Sequence, residues 1–261
     1  MLAFSGPPAT GQPAPDTSAP RAILLDHGAG KVLFAKNADK PTAPASLAKL
    51  MTVEVLFDQI RKGRVSLDDA FAISDRAGQF AQGAGMALTP GARVKVRDLL
   101  RGALVISANN AAIAIAEGVA GSIPRFAALM NQRAKEIGLA NSRFANPHGL
   151  SDPGQHVTMA DMALLASHLI RTYPEHYRYF GEAEFTYAGT SHRSRNPLLG
   201  SDVGADGLKT GQTQQAGYAF VASAERNGRR LVLAMNGLKS ESDRAAEARK
   251  LLEWGFRRPP E

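Results

Sequence analysis

The chain has 261 residues, 44% of them apolar and 21% charged, enough for one large domain or two modest ones with a full core. It contains no cysteine, which excludes a disulfide, a thiolate nucleophile and a Cys-ligated metal and suits an oxidising compartment. Net charge is +7, but the basic residues are scattered apart from Arg226–Arg230 around Gly228, and no helix-turn-helix, zinc-finger or aromatic-basic RNA pattern accompanies them; a solvated basic face or an anionic wall polymer fits better than nucleic acid.

Residues 1–19 begin without a basic region followed by an apolar stretch, so they are not read as a signal peptide. Their Pro, Ala, Gly, Ser and Thr content predicts a flexible leader, left after a signal was removed or replaced. Two short apolar runs, Ala22–Leu25 and Val32–Ala35, flank Asp26-His27-Gly28-Ala29-Gly30 and predict a β-hairpin. After a polar loop over Lys36–Pro44, the spacing of Leu47, Leu50, Met51, Val53 and Leu56 predicts a helix from Ala45. Val65–Asp98 reads as loop, with Gly83, Gly85, Pro90 and Gly91. A second apolar helix is expected over Arg97–Ile106 and a third after Asn109. Ser122 followed by Pro124 marks the start of a helix that ends near Gly138. Thr158 and Asp161 form a capping pair before Met162–Ile170, which Pro174 closes. Tyr218–Ala224 and Leu231–Met235 flank an Asn227-Gly228 turn, and Ser242–Phe256 is an amphipathic helix. Strands at both ends and helices between them predict an α/β fold: an antiparallel sheet flanked by helices, with an inserted helical subdomain. The sheet part is expected at about 20–45 and 180–258, the helical part at about 46–179, in one domain over 20–258. No apolar run reaches about 18 residues, so no membrane span is expected.

Three short strings carry chemistry. Ser46 and Lys49 stand at i and i+3 near a helix start and so share one face. A serine hydroxyl needs a base within reach, and lysine serves as one only where burial or a second cation lowers its pKa. Alone, the pair fits a capping serine beside a solvated lysine better than a catalytic pair, since Ser-x-x-Lys occurs widely by chance. Ser107 and Asn109 lie between two apolar helices and need partners, although both are also good helix caps. Lys209-Thr210-Gly211 follows Asp206-Gly207-Leu208, precedes an apolar strand, and alone also fits an ordinary strand entry.

In this order and at this spacing, the three strings match the motif set of the penicillin-acylated serine enzymes. The chain resembles the serine-type D-alanyl-D-alanine carboxypeptidases, the low-molecular-mass penicillin-binding proteins, from about Pro20 to Arg257, including the close Leu251-Leu252-Glu253-Trp254-Gly255-Phe256. Ala108 stands where the family often has Asp or Gly, at a position that need not carry chemistry. The resemblance implies a β-lactamase-like fold with the site where its two halves meet. It implies Ser46 as nucleophile, Lys49 as base, Ser107 as proton relay, Asn109 as holder of Lys49 and substrate, and Lys209 as second cation. Thr210, Gly211 and Gln212 would bind substrate, with the backbone N–H groups of Ser46 and Gln212 as oxyanion donors. Arg195 and Arg244 are further candidates for a substrate carboxylate, which a guanidinium binds in bidentate fashion. The expected partners are peptidoglycan stem peptides ending in D-Ala-D-Ala and β-lactam antibiotics, on the periplasmic or wall side of the membrane. No cofactor and no metal is expected: His148, Asp152 and His156 lack compact ligand spacing. Two other readings are a class A β-lactamase, which uses a glutamate to activate water, and a non-catalytic wall-binding module. Residues 141–158 contain no glutamate, and all motif residues are intact.

Overall fold

The computed structural model describes residues 13–259. Its centre is a five-stranded antiparallel sheet of order β2-β1-β9-β8-β7. The strands are β1 (Arg21–Asp26), β2 (Lys31–Lys36), β7 (Ala205–Thr213), β8 (Gly217–Arg226) and β9 (Arg229–Leu238). The first hairpin is within one residue of the expected one at each end. The second turns on Asn227 (φ 51°) and Gly228 (φ 76°), the pair of positive-φ residues that a type I′ turn requires.

Alternation along the strands divides the interior into two layers. Ala22, Leu24, Phe220, Leu231, Leu233 and Met235 pack with Ala248, Leu251, Leu252 and Trp254 of the terminal helix α8 (Glu241–Arg257). Ile23, Ala219, Val221, Val232 and Ala234 face the larger core, shared with the helical part. That part holds α1 (Ala48–Arg61), α2 (Asp75–Gln79), α3 (Val96–Leu104), α4 (Asn109–Ala120), α5 (Ile123–Ile137), α6 (Met159–Thr172) and the short α7 (Pro174–Tyr177). Helix α6 lies against β1 and β9, so one face of the sheet is covered by the inserted part rather than by a helix from a chain end.

The predicted caps are present. Ser122 Oγ accepts from Arg125 N and Thr158 Oγ1 from Asp161 N, while Gly138 ends α5 at φ 92°. Several elements differ from the sequence reading. Helix α3 stops at Leu104, because Ser107 takes a left-handed φ of 62°, and Asn109 is itself the first residue of α4. The loop-rich stretch contains α2 and the two-stranded β3 (Ala70–Ala72) and β4 (Arg93–Lys95). A second small hairpin joins β5 (Glu184–Tyr187) to β6 (Thr190–Arg193). These strands of three or four residues are too short to show a period. Part of the expected leader lies outside the described residues, and residues 13–19 are held in place. Trp254 Nε1 donates to Pro13 O, Thr17 Oγ1 to Glu247, and Lys36 Nζ to Thr17 O.

The arginines expected at a basic hairpin tip are neutralised by partners across the chain. Arg226 pairs with Glu253, Arg229 with Asp26, and Arg230 with Asp206 and Glu225. Deeper, Glu54 of α1 is fully buried and binds Arg133 of α5 at 2.6 Å, with Tyr173 Oη at 3.1 Å. Removing one partner of such a pair leaves an uncompensated charge in the core. Arg133→Met is therefore expected to lower unfolding free energy by about 3–5 kcal/mol. Urea denaturation at pH 7 measures it, and a loss below 1 kcal/mol would show that the pair does not tie α1 to α5.

Candidate active site

Ser46 sits in a single 3-10 turn, Ala45–Leu47, that runs directly into α1. Ala45 takes φ 47°, a conformation that costs an L-residue about 1–3 kcal/mol and persists where packing enforces it. Two glycines enforce it here. A Cβ on Gly149 (φ 84°) would lie 1.7 Å from Ala45 O, and one on Gly211 would lie 3.2 Å from both Ala45 Cβ and Ser46 N. The 146–150 loop and strand β7 thus press on the serine turn from two sides.

Lys49 is fully buried one turn after Ser46. Its Nζ lies 3.0 Å from Ser46 Oγ, 2.6 Å from Asn109 Oδ1 and 2.9 Å from His148 O. Burial, then the positive charges of Lys209 and Arg195, hold its pKa well below the usual lysine range. A neutral amine has two N–H groups and one lone pair. The two carbonyl acceptors take the N–H groups, which leaves the lone pair for the Ser46 hydroxyl.

Asn109 also donates from Nδ2 to Gln82 O, so its amide cannot rotate away from Lys49 without losing a bond at each end. Ser107, in the link from α3 to α4, lines the same cleft as Ser46. Lys209-Thr210-Gly211 lies within β7 rather than at a strand entry, and β7 is an edge of the sheet. Its alternate backbone groups are therefore free to pair with an extended ligand. Lys209 is buried, donates to Thr210 O at 2.8 Å, and is pushed down to about 7 by burial and by Arg195 and Arg244. Thr210, Gly211, Gln212, Arg195 and Arg244 line the same cleft as Ser46, Ser107 and Asn109, and both lysines lie beneath its surface.

The sequence reading missed several parts of this site. The carbonyl of His148 holds Lys49, a role the sequence reading did not give it, having weighed the His148 side chain as a metal ligand and set that aside. A backbone oxygen leaves no mark in composition. The His148 ring accepts from Leu150 N, packs on Phe80 at 5.3 Å, and is driven down to about 4 by burial and Lys49, so it is neutral at pH 7. Tyr218 and Glu241 also line the cleft. Among the described residues no group of three His, Asp or Glu side chains is arranged to hold a metal.

Residues 8–239 match the family model for D-alanyl-D-alanine carboxypeptidase, peptidase S11. The chain belongs to this family. It is 39% identical over 246 residues to the D-alanyl-D-alanine carboxypeptidase DacA of Haemophilus influenzae, covering 93% of this chain and 63% of that protein. It is 42% identical over 250 residues to DacC of Escherichia coli, covering 94% of this chain and 62% of the relative. The chain thus spans less than two thirds of the length of these curated relatives. Its fold matches penicillin-binding protein 5 from Haemophilus influenzae with a TM-score of 0.91 at 38% identity, over 94% of this chain and 73% of that one. It also matches penicillin-binding protein D2 from Listeria monocytogenes in its ampicillin-bound form, with a TM-score of 0.85 at 33% identity, over 94% of this chain and all of the other. The β-lactamase-like fold expected from the motifs is the fold of these neighbours.

The two lysines predict opposite pH limbs. A base role for Lys49 requires its neutral form, so a reaction that used it would quicken as pH rises through a pKa below the usual lysine range. Lys209 loses its charge as pH rises through about 7 in the free protein, which weakens capture of an anionic ligand above that pH. Lys209→Arg keeps the charge at any working pH. The variant is expected to move the alkaline limb of acylation efficiency with benzylpenicillin upward by at least one pH unit. An unmoved limb in a full pH profile would remove Lys209 from that role.

Proposed function

We propose that this chain is a serine D-Ala-D-Ala carboxypeptidase that trims peptidoglycan stem peptides outside the cytoplasm and is acylated by β-lactams. The observation that carries the reading is the buried Lys49 amine 3.0 Å from Ser46 Oγ, with its two other polar partners both carbonyl oxygens. Ser46 Oγ attacks the carbonyl carbon of the penultimate D-alanine while its proton passes to Lys49 Nζ. The backbone N–H groups of Ser46 and Gln212 receive the oxyanion. Collapse breaks the C–N bond, and the leaving amine takes a proton by way of Lys49 and Ser107. D-alanine departs, and water hydrolyses the ester to free the shortened peptide and Ser46. Lys209, Arg195 and Arg244 supply positive charge for the terminal carboxylate, and Asn109 steadies both Lys49 and the peptide backbone. The ampicillin-bound neighbour supports β-lactams as ligands. No single helix among the described residues is long and apolar enough to cross a membrane.

Ser46→Ala is expected to abolish covalent labelling by benzylpenicillin, seen as a missing adduct in intact-mass spectrometry. Lys49→Arg is expected to lose it as well, by a factor of about a hundred or more, because guanidinium cannot take a proton near neutral pH. An adduct on the alanine variant would move the nucleophile elsewhere.

Turnover of the drug adduct separates this reading from a β-lactamase. The sole carboxylate in residues 141–158 is Asp152, and its Oδ1 accepts from Gly154 N at 2.7 Å, which assigns it to a turn. In the peptide reaction the free D-alanine leaves and opens a path for water. In the drug reaction the leaving group stays tethered and blocks that path. The penicillin adduct is expected to persist for minutes after excess drug is removed, while peptide hydrolysis is fast. Adduct loss within a second would support the β-lactamase reading instead.

A further inference from the structure

Among the described residues, Glu241 is the sole acidic side chain lining the cleft that holds Ser46. It is the first residue of α8, and Arg244 follows one turn later. Their charged groups lie 3.7 Å apart, an ion pair longer than a good hydrogen bond. The two side chains differ sharply in exposure: Arg244 is 5% exposed and Glu241 77%. The guanidinium stacks over Tyr218, and its Nε is buried without a hydrogen-bond partner. Arg195 and Lys209 lie close enough for their charges to be felt: Arg195 opposes protonation of Arg244, and Arg244 opposes that of Lys209. Arg244 is thus a desolvated cation among cations, with its Nε donor unused and one loosely held counter-ion. Glu241, already largely in water, can leave Arg244 at little cost.

Building on the carboxypeptidase reading, we propose that Glu241 is an internal competitor for the carboxylate of the ligand, occupying Arg244 in the empty cleft and reclaiming it when product leaves. An incoming carboxylate supplies closer and better aligned acceptors than Glu241 does at 3.7 Å. Two carboxylates on one buried guanidinium repel each other, so Glu241 turns outward as the ligand enters. The device weakens binding of every carboxylate-bearing ligand by a modest factor. In return it speeds release of the free amino acid, whose carboxylate would otherwise hold it in a cleft lined with positive charge. Glu241 is therefore a specificity-setting residue that acts through Arg244.

The test compares benzylpenicillin with its methyl ester, which has the same ring and no carboxylate. Glu241→Gln is expected to raise acylation efficiency with the acid about two- to fivefold, the weight of a solvent-exposed ion pair. The ester is expected to change by less than half of that. Adding Arg244→Ala is expected to erase the difference, and the gain is expected to shrink as salt rises. Equal changes for acid and ester, an unchanged or lower efficiency with the acid, or a gain that survives loss of Arg244 would overturn the proposal. The same acid-over-ester gain is expected in the equilibrium Kd of the Ser46→Ala protein, where no bond forms. That arm separates the two ideas: if wild type is not acylated at all, the serine reading falls, while Glu241 is still judged by binding.

Discussion

The amine of Lys49 is the group on which the rest of the site depends. It is fully buried with no carboxylate beside it, so its charged form is penalised by desolvation and again by neighbouring cations. A paired carboxylate would have kept it charged and useless as a base. Instead, two neutral carbonyl dipoles orient it toward Ser46. Holding it there takes three segments far apart in sequence: the start of α1, the start of α4 and the 146–149 loop. Each approaches closely enough that its backbone is constrained. Ala45 and Ser107 adopt left-handed φ values, and Gly149 has no room for a Cβ. Local strain of this kind is tolerated where tertiary packing leaves no alternative.

That packing comes from a sheet buried on both faces. β8 and β9 send alternate residues into the two cores, so the sheet cannot slip register without moving apolar side chains to the wrong layer. One edge is left over for function. β7 lies at the end of the sheet, and its Gly211 stacks against the serine turn. An extended peptide laid along this edge would have its scissile bond brought beside Ser46 by backbone pairing. The surplus of basic residues has two fates. On the hairpin tip the arginines are matched by acids from distant segments. Around the cleft, Arg195, Arg244 and Lys209 have no acidic match among the described residues beyond the loose contact with Glu241. The unpaired charge is thus concentrated where an anionic ligand is to be held.

The charges also act on one another. Lys209 contributes to the lowered pKa of Lys49, and its own pKa is lowered by burial and the two arginines. In the proposed reaction a bound carboxylate would raise the proton affinity of Lys209 and so hold its charge, while its own negative charge would partly offset the pressure of the cations on Lys49.

What the chain determined by itself was mostly local. The 3.6-residue period marked α1, the caps at Ser122 and Thr158 marked two helix starts, and Asn227-Gly228 marked the turn between β8 and β9. Ser46, Lys49, Ser107, Asn109 and Lys209 stood out as candidates because three weak strings stood in the order of a known family. Only the tertiary structure decided what those residues touch. It placed the His148 carbonyl on Lys49, a contact invisible in sequence because every residue has such an oxygen. It put Lys209-Thr210-Gly211 inside an edge strand, where Gly207 and Gly211 weaken strand propensity and close approach to the serine turn requires a small residue. It brought Glu241 into the cleft, since the partner of an exposed acid is set by how a helix docks. Periodicity and motif order are properties of the chain, whereas a pKa depends on the groups that folding brings within a few ångströms.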